Sequence, residues 1–92
     1  MDVYQPLHCD LHDYLEIACT YRYGLRIELR NGLVFEAAAV TTHTRRNAQG
    51  NLEEFLEVQV EGASRELRLD RLRAITPVVA EARFGRVVLN PA

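Results

Sequence analysis

Five side chains in this sequence are of types that do nucleophilic or metal chemistry: His8, Cys9, His12, Cys19 and His43. A thiol becomes a catalyst when a base and an orienting group accompany it. Nothing beside Cys9 or Cys19 forms a known catalytic signature. His8-Cys9-x-x-His12 with Cys19 can be written as a zinc set. Cys9 precedes an expected helix and Cys19 ends it, so at 1.5 Å rise per residue the two thiols lie about 15 Å apart and are not expected to share an ion. Both read as small, reduced, half-apolar side chains, and neither metal nor cofactor is expected. Asp13 and Glu16 could pair for acid–base work, but on an exposed helix face they would be solvated and unperturbed. No glycine-rich loop has phosphate-binding spacing. The seven aromatics, Tyr4, Tyr14, Tyr21, Tyr23, Phe35, Phe55 and Phe84, offer material for stacking single-stranded RNA, yet most fit a core better. Arg45-Arg46 is a small cationic spot. An enzyme is not expected.

The elements that must position these groups follow from periodicity. Pro6 discourages helix at Gln5. Asp10 is a suitable N-cap, with Asp13 three residues on in the manner of a capping box, so the spacing predicts a helix over residues 10–20. Leu11, Leu15 and Ala18 make its apolar stripe; Asp10, Asp13 and Glu16 lie on the other side, with Ile17 at the edge. After Gly24 the period changes to two: Leu25, Ile27 and Leu29 alternate with Arg26, Glu28 and Arg30, a half-buried strand. Asn31-Gly32 predicts a two-residue hairpin, and residues 33–40 a second strand. Residues 41–51 read as an exposed loop carrying Arg45, Arg46 and Asn47. Residues 55–61 alternate again, Gly62-Ala63-Ser64 turns, and residues 65–70 form a fourth strand, with a short helical turn plausible between Leu69 and Leu72. Ile75 continues the core, and residues 86–89 make the last strand. One N-terminal helix and five short strands predict a mainly β fold, closed into a small Sm-like or SH3-like barrel because bare edges are a hazard in water. Leu15, Ile27, Leu29, Val58, Leu67 and Leu69 are its expected core.

Bulk properties agree with one domain. The chain has 92 residues, 48% hydrophobic and 26% charged, which is ordinary for a folded domain. No apolar run approaches the ~20 residues of a membrane span, and the N-terminus lacks the marks of a signal peptide; the cytoplasm is the expected compartment. Net charge is −2, with an uneven distribution. The first 21 residues hold Asp2, Asp10, Asp13 and Glu16 and no Arg or Lys, and residues 53–61 hold Glu53, Glu54, Glu57 and Glu61. A nucleic-acid binder usually presents a basic face, so this distribution favours a basic partner.

Two stretches carry a resemblance. Tyr4-Gln5-Pro6-x-x-Cys9-Asp10-x-x-Asp13-x-Leu15-Glu16-x-Ala18-Cys19 resembles the opening motif of the Rho-binding antiterminator family, Rof, and Arg65-Glu66-Leu67-Arg68-Leu69-Asp70 resembles that family's fourth strand. Residues 25–32 and 85–89 resemble its first and last strands. The resemblance implies an Sm-like barrel and binding to the N-terminal RNA-binding domain of transcription termination factor Rho. Occupying the primary RNA site there would inhibit Rho-dependent termination. It implies Asp10, Asp13, Tyr14, Glu16 and Ile17 of the helix, with Arg45, Arg46 and Asn47, as the contact residues, on a protein that is a monomer when free. Leu11, His12 and Tyr14 depart from the family pattern, and residues 48–52 read as an insertion. The alternative is a small Sm-like RNA-binding module, which would rest on phosphate neutralisation by a basic face.

Overall fold

The computed structural model describes residues 3–91. Asp2, one of the N-terminal acids, lies outside them. Helix α1 (Cys9–Thr20) is followed by β1 (Gly24–Leu29), β2 (Val34–Arg46), β3 (Leu52–Val60), β4 (Ala63–Arg68), a 3-10 turn (Leu69–Arg71), β5 (Leu72–Pro77) and β6 (Val87–Val88). The strands form one antiparallel sheet in the order β4-β3-β2-β1-β5-β6. Among the described residues no helix is long and apolar enough to cross a membrane.

The mainly β architecture with one N-terminal helix matches the expectation; the five-stranded closed barrel does not. Six strands are present, and β4 and β6 remain the two ends of an open sheet. The strand missed in sequence is β5, where Leu72, Ala74 and Ile75 are all buried. A bulge opposite Glu28 and Leu29 leaves Arg73 unpaired, so the core-cluster residues Leu72 and Ile75 are three apart, which erases the period-two signal. The edges are managed without closure. Strand β6 is only two residues long, and β4 exposes Arg65 and Glu66; short and charged edges resist further pairing.

The helix begins one residue earlier than expected. His8, not Asp10, is the N-cap, and its Nδ1 accepts from the Asp10 N–H at 3.3 Å. Asp10 sits inside the first turn, where its charge favours the helix dipole. At the other end Tyr23 N–H donates to the Ala18 carbonyl (2.9 Å) and Arg22 N–H to that of Cys19 (3.2 Å). Arg22 takes the left-handed conformation, φ 52°, that the closing motif requires. Two residues of α1, Leu15 and Ala18, are fully buried, and the helix lies against β2. Ala37 and Ala39, the buried residues of β2, are small enough to admit it closely.

Strand β2 runs thirteen residues, pairing with β1 over its first part and β3 over its second, with a bulge at Val40. The predicted loop over residues 41–51 is therefore mostly strand, and the turn shrinks to residues 47–51. The β1–β2 hairpin is also longer than predicted. Leu29 N–H donates to Leu33 (2.8 Å) and Gly32 N–H to Leu29 (3.0 Å) across a loop of Arg30, Asn31 and Gly32. Only Gly32 has positive φ, 96°; Asn31 acts through its side chain, accepting from Leu33 N–H at 3.0 Å. The β3–β4 turn is Glu61-Gly62, with φ 51° and 82°, the two-residue type suited to strand twist. Of the six residues expected in the core, Leu15, Ile27, Val58 and Leu69 are fully buried, while Leu29 and Leu67 are half-buried at its margin.

Candidate partner-binding surface

Asp10, Asp13 and Glu16 are exposed along α1. Asp10 stands 3.8 Å from the imidazole of its own N-cap, His8. Among the described residues Asp13 and Glu16 make no hydrogen bond or ion pair, so their charges face solvent uncompensated. Tyr14 and Ile17 flank this face and are half-buried. The Tyr14 ring meets Phe84 edge-on with centroids 5.2 Å apart, and Ile17 packs on the core. Both can present part of their surface to a partner only as fixed parts of the fold.

The basic residues are more occupied. Arg45 and Arg46 end β2, and Asn47 begins the turn. The Arg45 guanidinium lies 4.7 Å above the Phe55 ring and bonds the Glu66 carboxylate, which also meets His43. That guanidinium holds the Glu66 carboxyl below its ordinary value. Arg46 donates to the Gly50 carbonyl at 2.6 Å. Asn47 organises the turn: its Oδ1 accepts from the N–H groups of Gln49 and Asn51, each at 3.0 Å, and its Nδ2 donates to Glu53 at 3.2 Å. Of the two arginines, Arg46 keeps the charge least offset by an acid.

A polar clamp ties the lead-in to the sheet. Asp70, 4% exposed, is the buried charged residue of the described chain. Its carboxylate accepts two bonds from Arg68, both 2.7 Å, and one from the Gln5 backbone N–H at 3.0 Å. Burial alone would raise its pKa, but these donors outweigh it and hold the carboxyl below its ordinary value. Arg68 also reaches Glu53 at 3.3 Å and lies 5.6 Å from the centroid of the Tyr4 ring. The Tyr4 hydroxyl donates to Glu54 at 3.1 Å, and burial followed by that carboxylate pushes its pKa up. Glu54 in turn stands 3.7 Å from His12 of α1. Tyr4-Gln5 and the segment ending in Arg68-Leu69-Asp70, remote in sequence, thus meet in space. The sequence marked both stretches without indicating that they touch.

The chemistry-bearing residues do not assemble as a catalytic set. Cys9 is exposed and Cys19 half-buried, both as free thiols, and burial raises the Cys19 pKa, which makes it a weaker nucleophile at neutral pH. Among the described residues one trio could contact an ion, His8, Cys9 and Asp10, with ligand atoms within 4.8 Å of one another. It joins neither His12 nor Cys19. All three residues are exposed, and His8 Nδ1 is engaged as the helix cap.

Comparison with known proteins gives a consistent result. A solved structure described as YaeO bound to magnesium, from Vibrio cholerae O395, superposes with a TM-score of 0.70 over 85% of this chain and 96% of its own, at 23% identity; it shares the fold. Protein rof of Escherichia coli (strain K12) is 39% identical over 89 residues, covering 97% of this chain and 95% of the relative. Protein rof of Shigella flexneri matches to the same extent. The profile of the family described as modulator of Rho-dependent transcription termination (ROF) matches residues 6–89. On that match and near-full-length identity, the chain belongs to the Rof family of modulators of Rho-dependent transcription termination.

Proposed function

We propose that this chain binds the N-terminal RNA-binding domain of Rho and occludes its primary RNA site, so that Rho fails to engage transcripts and termination is inhibited. The observation that carries this reading is the face of α1, where Asp13 and Glu16 stand exposed with no partner of their own among the described residues. A surface that binds RNA must be basic, because phosphate neutralisation supplies most of its affinity. Uncompensated carboxylates one helical turn apart are complementary to such a surface and steer encounter with it. Asp10 extends the acidic row; Tyr14 and Ile17 supply apolar contact beside it. Arg46, with Arg45 and Asn47, adds a smaller polar contact from the end of β2. The chain acts as a monomer in the cytoplasm, without cofactor or catalytic step.

The test is a competition. Rho is bound to a pyrimidine-rich RNA, this protein is titrated in, and the complexes are separated on a native gel. Displacement of RNA from Rho, with no shift of RNA by this protein alone, is the expected result. RNA shifted by this protein alone, with Rho's RNA left in place, would favour the small RNA-binding module instead.

A further inference from the structure

We propose that Tyr21 anchors the contact with Rho, its ring taking the part of the RNA-binding surface that otherwise receives an RNA base. This inference rests on the reading above and adds to it a residue that charge does not reveal. At ~100° per residue α1 has three sides. Leu11, Leu15 and Ala18 turn to the core, the last two fully buried. Asp13 and Glu16 occupy the acidic side. Between them runs a margin of Tyr14, Ile17 and Tyr21, at i, i+3 and i+7. Tyr21 keeps its helical place although it is the C-cap, because its N–H donates to the Ile17 carbonyl at 3.1 Å.

Tyr14 and Ile17 are half-buried, whereas Tyr21 is 49% exposed. Its ring is nonetheless held still. It stacks on the buried Tyr23, with centroids 5.8 Å apart and planes 22° apart, and the Arg83 guanidinium lies over it, 4.6 Å from the centroid. Arg83 N–H donates to the Tyr23 hydroxyl at 3.1 Å; Tyr23 meets Phe84, and Phe84 meets Tyr14. Four rings thus form a continuous ledge beside the acids. A ring already ordered loses little freedom on binding, and rigid tyrosines are among the residues in which interfaces concentrate their affinity. With Arg83 over one face, Tyr21 offers its rim, which suits edge-to-face contact. The charge of Arg83 is outnumbered by Asp10, Asp13 and Glu16. The partner's chemistry follows from what single-stranded RNA requires: basic groups for its backbone and stacking planes for its bases. A protein filling such a groove needs carboxylates for the first and a ring for the second. Asp13 and Glu16 supply the carboxylates, and Tyr21 follows Glu16 by about 8 Å along the helix at 1.5 Å rise per residue.

Binding of the full chain to full-length Rho would be measured at low and high salt, with circular dichroism as the folding control. Tyr21→Ala should weaken binding about tenfold or more, as loss of an interface anchor does, and by the same factor at both salt concentrations, because salt screens charge and not apolar contact. Tyr21→Phe, which keeps the ring, should bind like the parent. Should Tyr21→Ala fail to fold, Tyr21→Leu, which preserves bulk over Tyr23, is read in its place. Free cytidine carries a base and no phosphate. At a concentration that displaces a labelled cytidine dinucleotide from Rho, it should compete with the parent and not with Tyr21→Ala. Parent-like affinity of folded Tyr21→Ala would overturn the anchor and leave the acidic contact standing. A loss seen only at low salt would overturn it too, since the freed charge of Arg83 would then be the cause. Cytidine that competes with neither protein, or equally with both, would remove the base-binding part as the place the ring occupies. Failure of the parent to bind Rho at all would overturn this inference together with the reading it rests on.

Discussion

Asp70 sits where the lead-in, β4 and the 3-10 turn converge, and its surroundings give the residue scale its clearest consequence. With Asp70 and Arg68 side chains 5% and 10% exposed, removal of one partner strands the other away from water. Breaking such a buried pair costs about 3–5 kcal/mol, with Glu53 partly compensating Arg68 and placing Asp70→Asn near the lower end. The measurement is a denaturant midpoint. The pH dependence follows from the same contacts. The folded-state pKa of Asp70 lies below its unfolded value, so its stabilising contribution is present above the ordinary carboxylate range of about 4 and is lost as pH falls through the depressed value. The parent should lose stability on acidification below about pH 4, and Asp70→Asn should lose less over the same interval. An unchanged acid limb would show that Asp70 is not the group responsible. Arg45 and Arg46 behave differently. Their contacts are exposed, and exposed ion pairs contribute little, so Arg45→Ala with Arg46→Ala should weaken Rho binding while leaving the melting temperature nearly unchanged. A fall of many degrees would mark the pair as structural only.

The elements were legible to unequal degrees, for reasons that differ from one to the next. Helix α1 and β1 announce themselves because each buries one clean face, Leu15 and Ala18 in one, Leu25 and Ile27 in the other. The start of α1 was misplaced because a histidine nitrogen serves as the cap, a role commonly filled by Ser, Thr, Asp or Asn. Residues 41–46 read as loop from their polar composition, yet they are held in β2 by pairing with β3; long-range pairing overrides local propensity. The Glu61-Gly62 turn shows the same limit, since glutamate is an unusual choice at φ 51°. Asparagine accepts that conformation more readily and completes the preferred turn pair. Glu61→Asn should therefore stabilise the protein by about 0.5–1 kcal/mol, read as a higher denaturant midpoint with unchanged slope. A lower midpoint would show that Glu61 has a stabilising contact outweighing its backbone strain.

At the scale of the whole molecule the charges are unequally paired. Among the described residues Asp13 and Glu16 of α1 stand without a partner, whereas the Glu28 carboxylate of β1 is bonded twice by Arg86. The acidic face of α1 was visible in sequence because Asp10, Asp13 and Glu16 fall within a segment free of Arg and Lys. The contact of Arg86 with Glu28 was not, because only the pairing of β1 with β5 and of β5 with β6 brings those two stretches together. Open-sheet topology was hidden for the same reason: strand order depends on contacts between residues far apart in the chain. The central claim concerns the acidic side alone. Replacing Asp13→Lys and Glu16→Lys leaves the buried Leu15 and Ala18 untouched, so circular dichroism should report the parent fold, with a small loss from the helix dipole. Like charges set against a basic Rho surface oppose association by several kcal/mol, and binding by the parent should itself weaken with salt, since exposed charges are screened over about 8 Å at physiological ionic strength. The most direct measurement is titration calorimetry of the folded double variant against the isolated RNA-binding domain of Rho. The account predicts that binding is abolished; affinity equal to the parent's would contradict it and remove α1 from the contact.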